Sequence, residues 1–173
     1  MTEFNNRGYD ASGYTIGDTS NYRISKRDVE TDCLGDEKFD VLMFTHVVEH
    51  FLDPINTLRR CRQLLYTTGI VYVEVPSFHW AEVRIPTVFT PEHLSYFTPD
   101  TLTDVVQASG YNVIKLKESR YWGNIKAILQ PASVTPTDTD RDYKKSLQQY
   151  KLVKWKYPIY NLIRKFKKIK PND

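Results

Sequence analysis

Two short stretches concentrate the groups able to move protons or hold a ligand. The first is His46-Val47-Val48-Glu49-His50, two imidazoles around a carboxylate within five residues. The spacing H-x-x-E-H binds zinc when both histidines share one face of a helix and a further carboxylate ligand follows downstream. Here the motif emerges directly from the apolar run Phe39–Phe44, and the next helix is marked by Pro54. A zinc helix is therefore not expected and no metal is assigned. Glu49 and His50 are read instead as residues that cap and orient that next helix. The second stretch is Glu92-His93, inside the aromatic segment 77–97, which also carries Glu82 and Arg84. Connections this long in a compact domain are usually functional. An imidazole oriented by a carboxylate is a standard general base, so His93 and Glu92 are the expected catalytic pair.

The elements that must position these groups alternate. Residues 4–9 are read as a weak strand ending at Asp10, followed by a turn at Ala11-Ser12-Gly13, and residues 22–27 as a short strand ending at Asp28. Phe39–Phe44 is a nearly continuous apolar run, which predicts a strand buried on both faces of a parallel sheet. Pro54 opens a helix to about Tyr66, with Ile55, Leu58, Cys61 or Arg62, and Leu65 at helical spacing. Thr67-Thr68-Gly69 ends it, and the β-branched run Ile70–Val75 predicts a second buried strand. Thr98 is a good N-cap, Pro99 suits the first helical position, and Gly110 is placed to end that helix. Strands at 111–117 and 121–130 follow as a hairpin. The expected class is α/β, with a mostly parallel Rossmann-like sheet closed by an antiparallel hairpin. In open sheets of this kind ligands sit beyond the carboxyl ends of the strands. Asp10, Asp28, Thr45-His46 and Pro76-Ser77 fall at such ends.

These motifs carry a resemblance. FDVLMFTHVVEHFLDP, then GIVYVEVPS, PEHLSYFTPDTL and SGYNV resemble the class I S-adenosylmethionine-dependent methyltransferases. In that family a strand begins with Phe-Asp and leads to a Glu-His, here Phe39-Asp40 and Glu49-His50. The next strand follows a glycine and ends near a proline, here Gly69 and Pro76. The resemblance spans roughly residues 4–130 and is sharpest over 39–110. Glu92–Phe97 is similar to a subgroup that includes sugar C-methyltransferases, where the Glu-His pair lies over the acceptor; Thr90 stands where that subgroup has tyrosine.

The resemblance implies methyl transfer from S-adenosylmethionine to a small-molecule or sugar-like acceptor. It places Asp10 on the ribose hydroxyls, Asp28 at the adenine, Thr45 at the cofactor, and His46 near the methionine part or the acceptor. The family's first strand and its glycine-rich turn should precede Asp10, but only nine residues do, and Gly8, Gly13 and Gly17 form no G-x-G-x-x-G. The domain is thus expected to be truncated. The sheet is then expected to close the gap itself, to take a strand from a partner chain, or to hold its amino-terminal part loosely. The alternative reading is an inactive methyltransferase-like remnant that binds a partner or a membrane surface.

The bulk properties set the outer bounds. The chain has 173 residues, 40% hydrophobic and 26% charged, enough for one domain (1–130), a Pro- and Thr-rich linker (131–142) and an appendage (143–173). Residues 141–173 hold 11 Lys/Arg against 2 Asp/Glu, a charge of +9, while the remainder holds 13 against 19, a charge of −6. Ile159, Leu162, Ile163, Phe166 and Ile169 align on one face of this basic tail, which suits an anionic membrane surface or the body of the protein better than nucleic acid. Cys33 and Cys61 form no disulfide framework and no zinc spacing. The first ten residues contain no apolar core of a signal sequence, and a cytoplasmic protein is expected.

Overall fold

The computed structural model describes residues 2–15, 23–80, 90–119 and 123–132. It divides into two compact units, residues 1–37 and 38–173. The expected tail helices and most of the linker lie outside the described residues.

In the first unit the expected strand at 4–9 is not formed. Thr2–Asn6 is a short helix, α1. Local side-chain bonds explain the change: Glu3 and Arg7 pair one turn apart at 2.9 Å, and Asn5 Oδ1 accepts the Ala11 N–H at 3.0 Å. Gly8, at φ +85°, then reverses the chain. The first strand, β1, is Gly13–Thr15, where a turn was expected, and it pairs in parallel with β2, Ile24–Lys26. The expected strand at 22–27 is therefore found, though shorter. β1 and β2 form a sheet of their own.

The second unit holds a four-stranded sheet in the order β3-β4-β6-β5. β3 (Phe39–Thr45) runs parallel to β4 (Leu65–Pro76), and the connection carries α2 (Pro54–Cys61). β6 (Asn124–Pro131) is antiparallel to both β4 and β5 (Tyr111–Ser119). Four of the six strands thus pair in parallel and the chain closes on a hairpin, as the alternating pattern predicts.

β3 departs from expectation. It is an edge strand of this sheet, so only Phe44 is buried, while Val41 and Met43 are 46% and 53% exposed. The core lies along β4 and β6, where Val71, Val73, Val75, Ile125, Ala127 and Leu129 are buried in strict alternation. Leu58 of α2 is fully buried, as are Leu102 and Val106 of the next helix, α3 (Pro99–Ala108). Tyr111 locks α2 to the sheet, its hydroxyl donating to the Leu58 carbonyl at 2.9 Å.

α2 ends earlier than its spacing suggests. Asp53 caps it by accepting the Asn56 N–H at 3.0 Å, with Pro54 in the first turn. After a 3₁₀ turn at 62–64 the chain is already in β4 at Leu65, and the ladder shifts register between Phe39 and Val41. Gly69 occupies the irregular stretch. A Cβ there would sit 3.0 Å from the Tyr66 carbonyl oxygen and 3.1 Å from that of Phe39. Gly69→Ala is expected to cost about 1 kcal/mol through this backbone crowding, read as a lowered urea midpoint at unchanged m-value. An unchanged midpoint would show that the irregular stretch yields freely.

α3 matches its sequence signals residue by residue. Thr98 and Thr101 form a reciprocal capping box, Pro99 opens the helix, and Gly110 leaves it at φ +87°.

Candidate active site

The carboxyl ends of β3 and β4 share one edge of the sheet, and the antiparallel β6 begins there, Asn124 lying opposite Pro76. Three segments meet at this edge: residues 45–51, residues 90–97, and the start of β6.

The first segment is shaped by one residue. His46 has φ +53°, and its N–H donates to the Glu74 carbonyl at 2.8 Å, so the ladder continues one step past Thr45 and then breaks. Left-handed backbone at a residue with a Cβ is strained by about 1–2 kcal/mol. The reversal turns Val48–His50 into a single 3₁₀ turn lying against the sheet, with Val48 and Glu49 buried and Phe51 packed edge-on against Phe44. No zinc-type helix carries the H-x-x-E-H motif.

The Glu49 backbone then fastens the second segment. Its carbonyl accepts N–H groups from Leu94 at 2.9 Å and Ser95 at 3.0 Å. His93 is thereby laid over the turn, its ring 4.9 Å from that of His50 in an edge-to-face arrangement.

The result is a carboxylate ringed by imidazoles. Glu49 is 1% exposed and neither carboxylate oxygen has a hydrogen-bond partner among the described residues. His46 Nδ1 lies 3.3 Å from Glu49 Oε1, and His93 Nε2 lies 4.0 Å from the same oxygen. The other face of His46 is also engaged. Asn124 Nδ2 donates to His46 Nε2 at 3.3 Å and to Glu74 Oε1 at 2.7 Å. Nε2 acting as acceptor places the His46 proton on Nδ1, facing Glu49. Glu74 receives the Tyr72 hydroxyl at 2.6 Å and lies 3.4 Å from Lys126 Nζ. Burial pushes its carboxyl up, but the bonds from Tyr72 and Asn124 and the Lys126 charge outweigh that and hold it below the usual carboxylate range. Tyr72 moves the opposite way, pushed up to about 12 by burial and by Glu74.

A second pair stands on the same rim. Buried Ser77 donates its hydroxyl to Glu118, and His79 Nδ1 lies 3.2 Å from the same carboxylate oxygen.

The expected site residues distribute as follows. Thr45, His46 and His93 come together at this edge. Glu92 is exposed, and it is its carbonyl that accepts from His50 Nδ1, at 2.8 Å. Its own backbone N–H, the Thr90 hydroxyl and the neighbouring His93 and His50 hold its carboxyl below the usual range. Asp28 follows β2 as expected, its Oδ1 accepting the Glu30 N–H at 2.8 Å in a tight turn. Asp10 precedes β1 instead of ending a strand, and its exposed carboxylate pairs with Arg23 at 2.5 Å. Asn124, Glu74 and the burial of Glu49 escaped the sequence reading. Asn124 lies 78 residues from His46, and no local pattern relates them.

Residues 2–116 match the family model described as a methyltransferase domain. The chain belongs to that family. Among curated methyltransferases, a ubiquinone biosynthesis O-methyltransferase of Cereibacter sphaeroides is 32% identical over 92 residues, covering 47% of this chain and 37% of that enzyme. The chain thus spans well under half the length of the curated relatives it matches. Among solved structures, the 1,6-didemethyltoxoflavin-N1-methyltransferase of Burkholderia thailandensis superposes with a TM-score of 0.60 at 13% identity, over 76% of this chain and 65% of that one. That structure holds S-adenosylhomocysteine. The PH0226 protein of Pyrococcus horikoshii superposes with a TM-score of 0.61 at 12% identity, over 75% of each chain. These likenesses establish the fold, that of class I S-adenosylmethionine-dependent methyltransferases. No helix among the described residues is long and apolar enough to cross a membrane.

Proposed function

We propose that this methyltransferase-family chain serves transfer of a methyl group from S-adenosylmethionine to a hydroxyl oxygen of a small-molecule or sugar-like acceptor. The observation that carries the reading is His93, held over the carboxyl ends of two parallel strands with Nε2 4.0 Å from the buried Glu49 carboxylate. The O-methyltransferase named among its relatives favours oxygen as the accepting atom.

The residues present fit the donor in kind. Its ribose hydroxyls call for a carboxylate acceptor, the part the resemblance gives to Asp10, whose exposed carboxylate also meets Arg23. Asp28, at the position the resemblance gives to the adenine, keeps one carboxylate oxygen outside its turn bond. Thr45 and His46 stand exposed at the strand end where the methionine part would lie. When bound, the donor supplies a methyl group on a cationic sulfonium, open to in-line displacement. His93 takes the acceptor proton at a ring nitrogen as the oxygen attacks. Glu49 then faces an imidazolium, and a buried anion at that distance stabilises the charge that forms. His46, held by Asn124, fixes the opposite side of the carboxylate.

Calorimetry with S-adenosylhomocysteine tests the donor site. Saturable micromolar binding is expected, weakened by Asp28→Ala. Absence of heat at millimolar ligand would overturn the proposal.

A further inference from the structure

Glu49 poses a problem that its surroundings do not solve. A carboxylate removed from water without hydrogen bonds is strongly disfavoured unless positive charge reaches it. Among the described residues no lysine or arginine pairs with it; its neighbours are imidazoles. One ligand atom from each of Glu49, His50 and His93 lies within 4.8 Å of the others.

The tautomer of His50 is the second observation. Its Nδ1 meets the Glu92 carbonyl at 2.8 Å. A carbonyl only accepts, so Nδ1 carries the proton and Nε2 of the neutral ring carries the lone pair. A backbone carbonyl taking the other ring N–H is the arrangement that orients histidine ligands of metal ions. The same loop bonds to the Glu49 carbonyl hold His93 against His50.

We infer that Glu49, His50 and His93 form a binding site for one divalent cation of the zinc class. Two imidazoles and one carboxylate suit a metal of borderline softness better than magnesium or calcium, which prefer all-oxygen shells. Three protein ligands leave a fourth position open to water or an acceptor oxygen. The site differs from the H-x-x-E-H helix arrangement, because His46 presents a protonated Nδ1 to Glu49 and gives its Nε2 lone pair to Asn124, so the second imidazole ligand is His93 from a distant loop. The inference goes beyond methyl transfer and does not depend on it. A cation held there uses the His93 lone pair, so the proton-accepting role of His93 belongs to the metal-free protein. In the loaded protein the open position would acidify a coordinated hydroxyl.

The test is titration of the full chain, stripped with EDTA, using Co²⁺ followed by visible absorption, then displacement by Zn²⁺. One equivalent is expected, with a d–d band that zinc abolishes and a melting temperature that rises with metal. Glu49→Gln and His50→Ala should each weaken binding by about tenfold or more, while His79→Ala, on the separate Ser77–Glu118 pair, should leave it unchanged. X-ray absorption of the zinc-loaded wild type needs no variant to fold, and should show two imidazoles and a carboxylate without sulfur. Absence of saturable binding at millimolar metal, a sulfur-containing shell, or binding indifferent to both substitutions would overturn the inference.

Discussion

His93→Ala should lower kcat for methyl transfer by about 10²–10⁴-fold, the range for loss of a positioned general base. The assay belongs in EDTA, so that proton transfer alone is read. Affinity for S-adenosylhomocysteine should be unchanged, because His93 faces Glu49 and His50 and sits on the loop over the turn, not on the strand end assigned to the donor. Added imidazole should restore part of the rate to the alanine variant. Replacement by glutamine separates packing from chemistry: it fills the space yet accepts no proton, so it should be as slow as alanine. A variant that retains wild-type kcat would remove His93 from the reaction and leave it a residue that packs the loop.

Glu49→Gln should move stability and activity in opposite directions. In metal-free buffer the substitution removes a buried carboxylate whose two oxygens accept no hydrogen bond among the described residues, and it should stabilise the fold by about 1–3 kcal/mol. The backbone carbonyl that fastens Leu94 and Ser95 is untouched, so the loop stays in place. Activity should fall about 10–100-fold, the usual effect of removing a group that orients a catalytic imidazole. Chemical denaturation and initial rates on one preparation give both numbers. A destabilised variant would mean that the carboxylate is already compensated within the fold and that its burial is no strain at all.

Both outcomes depend on a residue whose part the sequence conceals. Glu49 reads as a helix-capping acid, since it stands a few residues ahead of Pro54. The cap of α2 is in fact Asp53, adjacent to the proline. What buries Glu49 is the left-handed turn at His46, and a positive φ on histidine has no signature in residue order. The pairing of His93 with Glu49 has a similar origin. It rests on two backbone bonds across a connection more than forty residues long, and backbone bonds leave little trace in side-chain pattern.

Elements whose stabilising groups are near neighbours were legible. Thr98, Pro99 and Gly110 specify α3 because every group that caps it lies within the helix or next to it. The β3–α2–β4 unit follows from two apolar runs and a proline between them. Where local bonds competed with weak strand propensity, as in residues 4–9, the reading failed. Asn5 and the Glu3–Arg7 pair closed a helical turn that strand-poor residues did not resist.

Residue order alone therefore determined the parallel crossover and the capped helix, because periodicity, capping and turn chemistry act over a few residues, while the family was implied by the resemblance of its motifs to known methyltransferases. Tertiary structure decided that β3 is an edge strand, which carboxylate faces the histidines, and which ring nitrogen of His46 and His50 carries a proton. Those properties arise where distant segments exclude water from one another, and desolvation is a property of the assembled surface that no short stretch of chain encodes.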